Sequence, residues 1–120
     1  MHELSVVQAL VEQVTAEAAR LGATGRIRAV YLRLGALTTY VPAALTFYYD
    51  ALTRDTPLAG SRLEVEEVAV AGSCRACGAP ATFTALPFLC PACGAADVDL
   101  TAGRELEIYA LDVDDDRTGD

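Results

Sequence analysis

No lysine occurs among the 120 residues, and nine arginines face seventeen carboxylates, for a net charge of −8. That shortage of positive charge argues against a nucleic-acid-binding face, because neutralising phosphates needs a basic surface. Histidine is nearly missing as well: His2 is the only one. With no second imidazole to pair with a nucleophile and no Gly-rich phosphate loop, the chain does not read as an enzyme. The amino end lacks a basic n-region, and Glu3, Gln8, Glu12 and Gln13 interrupt its apolar residues. No apolar run is long enough to span a bilayer. These absences predict a cytoplasmic protein that binds neither membrane nor nucleic acid. An apolar share of 52% against 22% charged residues excludes a disordered chain, and 120 residues suffice for a small core domain plus a metal-stapled module.

All four cysteines lie in two knuckles, Cys74-Arg75-Ala76-Cys77-Gly78 and Cys90-Pro91-Ala92-Cys93-Gly94, with residues 78–89 between the pairs. In C-x-x-C, two thiolates reach one ion from a single tight turn, and the glycine that follows suits the positive φ on which such a turn closes. Two such turns complete a tetrahedron and leave no open position for catalysis. Cys74, Cys77, Cys90 and Cys93 therefore read as one structural zinc site. Iron in a rubredoxin-like centre would use the same ligands. Two disulfides are the plainer alternative, against which stand the paired spacing and the lack of an export signal.

A histidine at position two can chelate a metal through three nitrogens: the α-amine of Met1, its own backbone amide and its imidazole. The rings that close have five and six members, and so nitrogen-rich a set suits square-planar Ni(II) or Cu(II). Met1 is expected to be retained, because the bulky residue behind it resists aminopeptidase. Taken alone, His2 is as readily a solvated terminal side chain. The acidic carboxyl end, with Asp112, Asp114, Asp115, Asp116 and Asp120, reads as a solvated tail.

Hydrophobic spacing predicts an amphipathic helix over 4–21, with Leu4, Val7, Val11, Val14, Ala18 and Leu21 inward. Ser5 and Gln8 make a capping box at its start and Gly22 a stop, which would leave residues 1–3 free ahead of the helix. A strand follows over 26–34. A second helix over 42–54 opens on Pro42 and carries Val41, Leu45, Tyr48 and Leu52 as its stripe. A second strand is expected over 62–70, and the ribbon over 72–102 with Phe83, Leu86, Phe88 and Leu89 around the knuckles. Two strands under two helices are marginal, so the pattern at Leu106, Ile108 and Ala110 predicts a returning third strand. The fold class is then α+β: two helices on a small three-stranded sheet with an inserted four-cysteine zinc ribbon.

Taken together, several segments resemble the HypA/HybF family of nickel metallochaperones for NiFe-hydrogenase maturation. They are the opening Met1-His2-Glu3-Leu4-Ser5, the strand end Leu34-Gly35-Ala36-Leu37, Leu63-Glu64-Val65-Glu66, Phe88-Leu89-Cys90-Pro91-Ala92-Cys93-Gly94, and Gly103-Arg104-Glu105-Leu106. The resemblance covers essentially the whole chain, and the M-H-E start joined to a four-cysteine ribbon is what makes it specific. It implies a nickel-binding α+β domain of residues 1–71 and 103–120, and a zinc-ribbon domain of residues 72–102. It implies that Ni(II) is bound transiently at Met1, His2 and Glu3, and Zn(II) structurally by the four cysteines. Nickel would pass to the hydrogenase large subunit, with the GTPase HypB as partner. Urease maturation proteins and a weak homodimer complete the expected partnerships. Some relatives are considered to draw a further nickel ligand from a ribbon histidine; this chain has none, so backbone, carboxylate or water would take that place. The competing reading is a zinc-ribbon module for protein interaction or nucleic-acid binding, without a nickel role.

Overall fold

The computed structural model describes residues 2–20, 22, 27–84 and 86–114. Its elements are α1 (Glu3–Arg20), β1 (Ile27–Gly35), a 3-10 turn (Ala36–Thr38), α2 (Pro42–Thr53), β2 (Arg62–Val68), β3 (Val70–Cys74), β4 (Pro80–Phe83), β5 (Val98–Ala102) and β6 (Leu106–Val113). The strands form two three-stranded sheets, ordered β2-β1-β6 and β4-β3-β5. The last strand does return to flank β1, and the ribbon strands are inserted in sequence between β2 and β6. Among the described residues no helix is long and apolar enough to cross a membrane. Leu21, Arg26 and the acidic residues Asp115, Asp116 and Asp120 lie outside the described residues.

Two compact units result. The first combines the chain through Leu32, Tyr40–Glu66 and the chain from Glu107; the second combines Arg33–Thr39 with Glu67–Leu106.

In the first unit α1 packs against α2. Its buried face is Val6, Val7, Leu10, Val14 and Ala18, whereas Leu4 is 39% exposed and Val11 half-buried. At 100° per residue, Leu4 and Val11 fall at one margin of a face centred on Val14, and Val6 and Leu10 at the other. All four are apolar, so spacing alone cannot choose the margin. The helix also starts earlier than its capping box suggests. The His2 carbonyl accepts the Val6 amide at 3.1 Å, which makes His2 the N-cap and places Ser5 inside the first turn. Glu3 at one end and Arg20 at the other complement the helix dipole.

In α2 the buried positions are Leu45, Tyr49 and Thr53, not the stripe through Val41 and Tyr48. Polar bonds set this rotation. The Tyr49 and Ser61 hydroxyls lie 2.7 Å apart, and the Ser61 hydroxyl donates to the Leu58 carbonyl at 2.6 Å. A chain of donors from helix to turn thus satisfies a buried phenol. Val30, Leu32 and Leu63 supply buried sheet residues to the same unit.

In the second unit β3 pairs antiparallel with β4, Val70 opposite Phe83, and with β5, Cys74 opposite Val98. The apolar alternation that reads as one strand over 62–70 is in fact broken at Ala69, and β3 belongs to the other sheet. A side chain at Gly72 would put its Cβ 2.3 Å from the Asp99 carbonyl oxygen, so only glycine lets β3 and β5 approach this closely. Phe83 and Phe88 stack with centroids 5.2 Å apart. Leu86 and Leu89, expected around the knuckles, are instead 77% and 44% exposed.

Candidate metal centres

Each cysteine knuckle is built by the same pair of backbone bonds. The Cys74 carbonyl accepts the Gly78 amide at 2.7 Å, and the Cys74 amide donates to the Ala79 carbonyl at 2.9 Å. In the second knuckle the Cys90 carbonyl accepts Gly94 at 2.8 Å, and the Cys90 amide donates to Ala95 at 2.9 Å. Gly78 and Gly94 take φ of 80° and 79°, the left-handed conformation that a side chain would strain. Arg75 ties the first knuckle to β5: its guanidinium reaches Asp97 at 3.1 Å and Asp99 at 3.4 Å, and its amide donates to the Asp97 carbonyl at 2.8 Å.

These turns bring the four sulfurs within 4.8 Å of one another. Cys74 Sγ and Cys93 Sγ are 3.6 Å apart, as are Cys77 Sγ and Cys90 Sγ. Four sulfurs placed about 2.3 Å from a central ion in a tetrahedron stand about 3.8 Å apart. The cluster therefore has the dimensions of a tetrahedral thiolate centre, and all four cysteines are free of disulfides. Cys74 and Cys90 are buried, Cys77 and Cys93 exposed.

Electrostatics within the cluster favours a cation at its centre. The amides of Cys93 and Ala92 point at the Cys90 sulfur and, against burial, bring its thiol down to about 6. At Cys93 the Ala95 amide favours the thiolate, but Cys74, burial, Cys90 and Cys77 outweigh it and push the thiol up to about 12. Cys77 is raised in the same way, the Ala79 amide being overcome by Cys90, burial and Cys74. One thiolate is easily held here; four need a compensating ion.

The first unit carries the other candidate residues. His2 is exposed, with its carbonyl committed to the first turn of α1. Met1 lies outside the described residues. The Glu3 carboxylate accepts the Val41 amide at 3.1 Å, across 38 positions of sequence. That bond, then its own amide, and then the charge of His2 hold the Glu3 carboxyl below its ordinary range, with burial opposing. Val41 is the N-cap of α2 with Pro42 behind it. The sequence carries no signal that pairs Val41 with Glu3 over this separation.

A family model described as "Hydrogenase/urease nickel incorporation, metallochaperone, hypA" matches residues 1–113. This chain belongs to the HypA family. Similar HypA family members include the "Hydrogenase maturation factor HypA" of Roseiflexus sp. (strain RS-1), 43% identical over 97% of this chain and 94% of that protein. The protein of the same name in Geotalea uraniireducens (strain Rf4) is 42% identical over 95% of this chain and all of its own length. Among solved structures, the fold is similar to the solution structure of the Ni metallochaperone HypA from Helicobacter pylori, with a TM-score of 0.62, 22% identity, and 94% and 97% of the two chains covered. The HypA family is thus one of hydrogenase maturation factors, and the four-cysteine cluster of this member fits zinc.

Proposed function

We propose that this chain is a nickel carrier that binds Ni(II) at its amino end and delivers it to the large subunit of a NiFe-hydrogenase. Membership of the HypA family carries this reading, together with the placing of His2 at the N-cap of α1. There the imidazole and the His2 amide lie outside the helical ladder while the carbonyl anchors the first turn. The Met1 α-amine, the His2 amide and imidazole, and Glu3 form the nickel-binding set. Cys74, Cys77, Cys90 and Cys93 hold structural zinc, which supplies cross-linking of two turns that share no large core. Residues 1–71 with 103–120 then serve nickel, and residues 72–102 serve zinc.

A carrier needs two sites of opposite lability. A metal held by a chain end exchanges readily, whereas one enclosed by four thiolates does not. In this reading the protein is a cytoplasmic carrier, not a catalyst. The GTPase HypB supplies the energy-dependent step and urease maturation proteins are further recipients. Self-association as a weak homodimer belongs to the same reading.

Titration of zinc-loaded protein with Ni(II), followed by absorbance and calorimetry, tests this. Uptake of about one equivalent is expected, lost in His2→Ala without loss of zinc. Unchanged uptake in His2→Ala would remove the chemical basis of the proposal.

A further inference from the structure

We propose that Glu3 is a positioning residue for the nickel site, its carboxylate tying the start of α1 to the start of α2. The inference rests on the nickel reading above and deepens it by giving the Glu3 carboxylate a defined task.

Val41 caps α2 without any side-chain acceptor, and Pro42 behind it has no amide. The Val41 carbonyl is fully used, since it accepts Ala44 at 3.0 Å and Leu45 at 3.1 Å. Its amide has one acceptor among the described residues, the Glu3 carboxylate at 3.1 Å. Glu3 is meanwhile the first residue of α1, one position after His2. A single carboxylate thus stands at the amino ends of two helices, where it offsets both positive poles.

The tie also bears on His2. The His2 carbonyl holds the first turn of α1, and the next residue is fixed to α2 through Val41. The backbone that carries the imidazole is therefore anchored at its own carbonyl and at the residue that follows. Pre-ordering a chain end before the metal arrives lowers the entropy that binding must overcome.

Glu3→Gln keeps an acceptor for the Val41 amide and removes the carboxylate; Glu3→Ala removes both. The zinc-loaded protein and both variants are compared by the NMR shift and solvent exchange of the Val41 amide without nickel, and by Ni(II) titration. The expected result is that Glu3→Gln keeps the Val41 amide protected and weakens nickel binding clearly less than Glu3→Ala does. Glu3→Ala should expose Val41 and weaken nickel about tenfold or more. Equal weakening in both variants, with Val41 still protected in Glu3→Gln, would make the carboxylate a ligand and overturn the proposal while the nickel reading stands. A parent protein that takes up no nickel would overturn both, and the unchanged Val41 comparison would identify the nickel reading as the part that failed.

Discussion

Gly35 and Gly103 pass so close that a Cβ on Gly35 would lie 2.1 Å from the Gly103 carbonyl oxygen. The approach is held on both sides: the Gly35 amide donates to the Glu105 carbonyl at 2.7 Å and the Leu37 amide to the Gly103 carbonyl at 2.8 Å. Here the end of β1 meets the segment leading into β6, within the second unit.

Gly35→Ala is therefore expected to destabilise this unit. The atoms in the way are backbone, which cannot swing aside as a side chain can, so a cost of about 1–3 kcal/mol is expected. Gly103→Ala should also destabilise, since its φ of 122° is one that side chains rarely adopt. Amide exchange at Gly35 and Leu37 measures the effect. Undiminished protection in Gly35→Ala would mean that the close approach accepts a Cβ at no cost.

For the ribbon, Cys74→Ser or Cys90→Ser should lower zinc retention and loosen residues 72–102. Binding of structural zinc is typically worth about 10–16 kcal/mol, so no other contact in so small a module compensates its loss. The first unit has its own buried residues and should keep its exchange protection. Zinc content with amide exchange decides this, and a variant with full zinc and an unchanged ribbon would contradict a single four-sulfur site.

Tyr49 gives the fold a pH-dependent signature. Burial raises its phenol above the ordinary value of 10.0, the Ser61 bond lowering it and Asp50 raising it further. A group whose pKa is raised on folding contributes stability below its unfolded value and loses it as pH climbs through the folded one. A tyrosinate absorbance step above pH 10 is expected, accompanied by weakening of the first unit and missing from Tyr49→Phe. Loss of amplitude in Tyr49→Phe from the ordinary tyrosine step, with the later step kept, would show that the phenol is not sequestered.

The sequence made some of this legible and not the rest, for identifiable reasons. The knuckles were readable because C-x-x-C-G is a local device whose geometry needs nothing from elsewhere. The returning strand was readable from the instability of a two-stranded sheet. Tyr49 was hidden because Phe47, Tyr48 and Tyr49 are all aromatic, and the choice among them falls to Ser61 in the following turn. The start of α1 was hidden because Ser5 and Gln8 offer a plausible cap, while the His2 carbonyl and Glu3 already begin the helix three residues earlier. The switch of sheets after Val68 had no signal, because alternation reports which face is buried and not which strand lies alongside. Val41 as the partner of Glu3 is a contact across 38 residues that spacing does not register.

Acid should release nickel before zinc. Ligands of either site must be free of protons to hold a metal, and an exposed chain end exchanges its ion more readily than a closed four-thiolate site. Metal analysis after dialysis at neutral and mildly acidic pH should find nickel lost and zinc kept. Loss of both together would mean that the two sites do not differ in lability.

The chelating role of the amino terminus is tested most directly by placing Gly-Ser ahead of Met1. The extension leaves His2, Glu3 and all four cysteines in the chain and moves only the α-amine, two residues away along the sequence. Zinc-loaded native and extended proteins are titrated with Ni(II) at neutral pH, in parallel with a zinc assay. The expected result is nickel affinity lower by at least about tenfold in the extended protein, a difference of about 1.4 kcal/mol or more, with zinc content unchanged. Equal affinity in the two proteins would contradict the α-amine as a nickel ligand.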